Sequence, residues 1–154
     1  MSQKNLSVML RMICIVCCFV LLGMCGYAYF RINEMMDGPV YNLIAKLIVA
    51  VCAAVVAIAI FFAWAIFADI GRDRSFTMKN AVRLKMIAWL FLSDSLVFLA
   101  ALAVVFILKI GSAGLPFVML LIIFIGISLT VICACLSHLI AKAAAIEQEN
   151  ELTI

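Results

Sequence analysis

Four stretches of the chain run for about twenty residues with very few strongly polar side chains, at approximately Met12–Phe30, Leu47–Ala68, Met86–Leu108 and Phe117–His138. Coiled as a helix at about 1.5 Å per residue, each is long enough to cross a ~30 Å hydrocarbon core. No water reaches backbone polar groups at that depth, so only helices and closed barrels span a bilayer. Barrel strands alternate apolar and polar positions, and these stretches do not. The pattern therefore predicts an all-α integral membrane protein. It is one membrane domain over residues 1–154, a four-transmembrane-helix bundle with short connections.

Composition agrees with that reading. The chain is 69% hydrophobic and 12% charged, against roughly 45–50% and ~25% in soluble domains, so the apolar surplus must face lipid. Lys4 and Arg11 precede the first stretch as they would in a signal peptide. Its apolar run exceeds the usual ~7–15 residues and no convincing small-x-small cleavage site follows, so it is read as a retained span. Lys and Arg near the span ends set the orientation. Lys4, Arg11, Arg72, Arg74, Lys79, Arg83, Lys85 and Lys142 would share one side, against Arg31, Lys46 and Lys109 on the other. Lys46 is expected to snorkel outward. The expectation is N-in/C-in in a bacterial cytoplasmic (inner) membrane, with a cytoplasmic loop 69–85 and a cytoplasmic tail 139–154. As a bare topology anchor, the loop would need no partner beyond anionic lipid.

The order of residues in the loop carries more than charge. Asp69, Gly71 and Asp73 suit a turn. Thr77 is placed to cap a third helix running from Met78 to about Leu108, with Asn80 where a capping box would have Glu or Gln. That helix exceeds its span, so its first turns, with Lys79, Arg83 and Lys85, are expected to project into the cytoplasm. The stretch FADIGRDRSFTMKNAVRLKMIAWL (Phe67–Leu90) resembles the signature of the domain of unknown function 2975 family, small four-span bacterial membrane proteins. Ser75, Phe76, Thr77, Asn80, Arg83 and Leu84 carry the match. The ending AAAIEQENELTI is similar to the family's finish through Glu149, Asn150, Leu152, Thr153 and Ile154. The family has no established activity. What the resemblance implies is a regulatory partner, a small helix-turn-helix regulator encoded alongside many members.

Among residues able to do chemistry, Asp94 is the one acid deep in a span. A central charge costs about 2.5–3.5 kcal/mol, which the surrounding Leu, Ile, Val and Phe outweigh at roughly 0.3–0.6 kcal/mol each. Ser128 and Thr130 lie at a similar depth on the fourth span, so a hydrogen bond from Asp94 to one of them is the structural expectation. A proton or cation site is the functional alternative. Cys14, Cys17, Cys18, Cys25, Cys52, Cys133 and Cys135 all fall inside spans and read as small hydrophobes. The one His138 cannot supply bis-histidine haem ligation and reads as an interfacial residue. No nucleotide loop, zincin motif or triad is present. No enzyme activity, metal or cofactor is expected, nor direct nucleic-acid binding.

Ala50, Ala53, Ala54 and Ala57, with Gly23 and Gly26, form small-residue stripes that suit packing within the bundle or a homo-oligomer face equally. Two functional classes remain. The first is a membrane-resident regulatory or sensory protein whose loop and tail bind a soluble partner through Phe76, Thr77, Lys79, Asn80, Arg83, Lys85, Glu147, Glu149, Glu151, Leu152 and Ile154. In that reading the tail acids stand level with the loop cations. The second is a small channel, transporter or bacteriocin-immunity-type protein using Asp94.

Overall fold

The computed structural model describes residues 3–35, 38–72, 76–110 and 112–152. They form four helices: α1 (Gln3–Met35), α2 (Pro39–Ile70), α3 (Met78–Leu108) and α4 (Leu115–Leu152). All four are long and apolar enough to cross a membrane. Each is at least 31 residues, so each is longer than a ~30 Å hydrocarbon core requires. The chain folds back on itself at each connection. Packing is most extensive between α3 and α4, then between α1 and α2, then between α2 and α3. Ser7 lies against Phe67 and Ser137 against Ala81. The start of α1 and the last third of α4 therefore sit at the same end of the bundle as the α2–α3 connection, here called the loop end.

The boundaries follow local chemistry. Gly38 takes φ +108, open to glycine at little cost, and Pro39 then starts α2 where its missing N–H is not needed. Thr77 is extended and its hydroxyl accepts from the Asn80 N–H at 3.4 Å, so α3 begins where the capping pattern places it. Lys109 closes α3 in a left-handed conformation.

The exterior is apolar: Phe30, Ile107 and Phe117 are each at least 74% exposed. The interior mixes small and polar side chains, Ala59, Ala81, Ala88, Ser7, Ser95 and Ser137, with larger ones such as Ile66, Ile87, Leu102 and Met119. Lipid allows polar side chains inside and large apolar ones outside, and the small residues permit close helix approach. Two adjacent seven-residue rows on α3 organise the packing. Asn80, Ile87 and Asp94 turn toward α2, with Ile87 packed against Ala59 and Ile66. Ala81, Ala88, Ser95 and Leu102 turn toward α4, with Leu102 packed against Met119 and Ile123. Sevenfold spacing keeps one seam facing a neighbour crossed at about 20°.

Most of the small-residue stripes, which the sequence left open between packing within the bundle and a homo-oligomer face, are not used to pack helices within one copy. A methyl at Gly23 or Gly26 would meet nothing within 4 Å. Ala50, Ala54 and Ala57 are exposed. Glycine matters instead at Gly71, which ends α2 with ordinary right-handed angles. A Cβ there would stand 2.7 Å from Ser7 Oγ and 2.9 Å from Ser7 Cβ. Gly71→Ala should therefore push the start of α1 off α2, costing about 1–3 kcal/mol. Ser7→Ala should not relieve it, because the Cβ clash remains. Thermal unfolding of the two single variants and the double variant in detergent checks this.

Candidate functional site at the loop end

The loop end is held by a polar cluster drawn from all four helices. Arg83 Nη1 donates to Asp69 Oδ2 at 2.5 Å and to Asn80 Oδ1 at 3.0 Å. The ion pair is about three-quarters withdrawn from solvent at Asp69 and two-thirds at Arg83. Removing one partner of such a pair costs more than breaking a surface pair, because the remaining charge is left partly buried and uncompensated. Asn80 has no accessible surface at all. Around this core, the Ser7 hydroxyl donates to the Phe67 carbonyl at 2.6 Å, fastening α1 to α2. The Ser137 hydroxyl donates to the Ala81 carbonyl at 2.7 Å, fastening α4 to α3. One turn further into the bundle, the Arg11 guanidinium lies 5.6 Å over the Trp64 ring, a cation–π contact.

This geometry divides the residues that the sequence grouped as one binding surface. Phe76, Lys79, Glu147 and Glu149 are exposed. Thr77 is occupied in the cap. Asn80 and Arg83 are turned inward, which corrects the expectation that Asn80 touches a partner: a side chain with no accessible surface contacts only its own protein. Lys85 is exposed but points into a groove between α3 and α4. Glu151 and Leu152 belong to the last turn of α4. Asp73, Arg74, Ser75, Thr153 and Ile154 lie outside the described residues.

Glu147 does not stand level with Lys79 or Lys85. Ser137 fixes α4 beside Ala81, only three residues after the start of α3. Glu147 is ten residues beyond Ser137, about 15 Å along the axis, while Lys79 rises only ~3 Å above Ala81. Lys85 lies on the opposite side of Ala81, toward the bundle middle. Antiparallel helices carry these groups apart, and Arg83 is satisfied by Asp69 instead.

The deeper site also differs. The Ser128 and Thr130 hydroxyls donate to their own helix, to the Phe124 and Gly126 carbonyls at 2.8 and 2.9 Å. Asp94 lies beside the Cys52 thiol of α2, and its Oδ1 is enclosed without a hydrogen-bond donor. Ser95 faces α4, and Asp94, 100° around the helix, stands on the side toward Cys52 of α2. At the far end, the Lys46 ammonium lies 4.4 Å over the Tyr29 ring. Among the described residues no cluster of three or more His, Cys, Asp or Glu side chains could hold a metal ion. All seven cysteines are free thiols.

Sequence reasoning missed Ser7, Ser137 and the Ser95–Gly126 crossing. The seven-residue spacing of Ala81, Ala88 and Ser95 was the available signal for the last.

Four apolar helices joined by short connections, with a polar cluster closing one end, define a small multi-pass membrane protein. The chain belongs to the family described as Protein of unknown function (DUF2975), whose model matches residues 27–154. The match takes in α2, α3, α4 and most of the loop-end cluster. No curated protein and no solved structure matches the chain.

Proposed function

We propose that the protein is a membrane-resident regulatory or sensory protein of the bacterial cytoplasmic membrane, with no enzymatic activity of its own. Both termini and the basic loop lie in the cytoplasm, where they bind a soluble partner. The partner class implied by the family resemblance is a small helix-turn-helix transcription regulator. The observation that carries this reading is the overshoot of α4. It continues from Ser137 to Leu152, about 20 Å past the level at which it is pinned to α3. Its exposed Ile146, Glu147 and Glu149 exceed what membrane anchoring requires. Phe76 and Lys79 supply a second exposed element near the base of that projection.

Deleting Glu149–Ile154 should leave membrane insertion intact and abolish control of the neighbouring regulator's target promoter. Normal control by the truncated chain would overturn the proposal. The second reading, an ion or proton site, is favoured by one observation: the enclosed Asp94 Oδ1 has no donor. Asp94→Asn separates the two. Under the regulatory reading it keeps insertion and promoter control. Loss of control with normal insertion would move the function into the membrane.

A further inference from the structure

A groove of about 470 Å³ runs between α3 and α4 from the loop end toward the bundle middle. Its walls are Lys85, Ala88, Trp89 and Leu92 of α3 and Thr130, Ala134, Ser137, His138 and Ala141 of α4. The volume is within the ~300–1,000 Å³ range of small-ligand sites. The distribution of polarity along it is uneven. The hydroxyls of Thr130 and Ser137 are spent on the Gly126 and Ala81 carbonyls. What remains of the inner wall is apolar, through Ala88, Leu92 and Ala134. The uncommitted polar heads, Lys85 and His138, are both at the mouth and both exposed. Among the described residues no acid is paired with Lys85. Trp89, at 63% exposed, flanks the groove one helical turn below Lys85, a position suited to the headgroup boundary.

A cation at the membrane boundary above an apolar channel is complementary to an anionic headgroup attached to an acyl chain. We propose that this groove binds one anionic phospholipid, its phosphate against Lys85 and His138 and a chain along Ala88, Leu92 and Ala134. The site is independent of the loop cluster and of any soluble partner.

Native mass spectrometry of the full chain released from detergent, titrated with phosphatidylglycerol or phosphatidylcholine, tests it. The wild-type protein should retain one phosphatidylglycerol about five-fold better than phosphatidylcholine, the preference expected of a single basic side chain near the surface. Lys85→Gln should bring the ratio close to one. Ala134→Phe, which fills the groove from an exposed position, should remove the retained lipid. Lys79→Gln, outside the groove, should leave the preference unchanged, and circular dichroism should show equal helicity in all variants. Inorganic phosphate should not displace the lipid, since it has no chain to seat; displacement would make this a simple anion site and overturn the lipid assignment. Equal retention of both lipids by the wild type, or an unaltered preference in Lys85→Gln and Ala134→Phe, would overturn the proposal too.

Discussion

Asn80→Ala should lower stability by about 2–4 kcal/mol, whereas Lys79→Ala, one residue earlier, should change it by less than about 0.5 kcal/mol. The contrast follows from placement. Lys79 is exposed, while Asn80 has no accessible surface and its Oδ1 accepts from Arg83. A hydrogen bond to a charged group contributes about 1.5–3 kcal/mol, and truncation at a closed site adds the cost of the void. Arg83 would keep Asp69, which limits the loss. Denaturant unfolding of both variants in matched micelles measures the difference. Equal stability of the two would show that Asn80 does not hold the loop end, and its place in the family motif would need another explanation.

The second large effect is expected where α3 and α4 cross most closely. A Cβ added at Gly126 would overlap Ser95 Oγ, yet would stand 3.5 Å from Ser95 Cβ, an ordinary contact. Gly126→Ala alone should cost about 1–3 kcal/mol by overpacking. The Ser95 hydroxyl must leave its 2.8 Å bond to the Phe91 carbonyl, or the helices must separate. Ser95→Ala alone removes only that bond within α3 and should cost less than about 1 kcal/mol. In the double variant the obstructing oxygen is gone, and the alanine replacing Gly126 gains helix propensity of up to about 1 kcal/mol. The double variant should therefore be more stable than Gly126→Ala, so the two substitutions compensate instead of adding. A double variant less stable than either single one would exclude this crossing. The same test at Gly71 has the opposite outcome, because there the obstruction includes Ser7 Cβ.

Both experiments concern the loop end or the seam leading to it, which gives the family motif a physical role. Of its residues in the loop, Thr77 starts α3, Asn80 and Arg83 lock that start to α2 through Asp69, and Phe76 remains exposed. A motif that mixes inward and outward residues holds a segment in place while presenting part of it. If the proposed partner docks here, substitutions at Asn80 and at Phe76 should then fail differently, the first in stability and the second in binding that partner.

What the sequence alone determined is what each segment settles by itself. Whether a stretch such as Met86–Leu108 enters a bilayer depends on its own transfer free energy, so four helices were legible and Asp94 did not prevent the third. Where α3 begins was legible because Thr77 satisfies an amide three residues away. Tertiary structure decided which face of each helix meets which neighbour. Sequence could not rank Thr130, Ser128 or Cys52 as the neighbour of Asp94, nor Asp69 over the tail acids as the partner of Arg83. In water, hydrophobicity separates a buried face from an exposed one. In lipid both faces are apolar, so that signal is lost, and selection falls to close contacts between small residues and to hydrogen bonds such as Ser137 to Ala81. One residue of rotation, 100° around α3, separates Asp94 facing α2 from Ser95 facing α4, and only the packed helices distinguish the two.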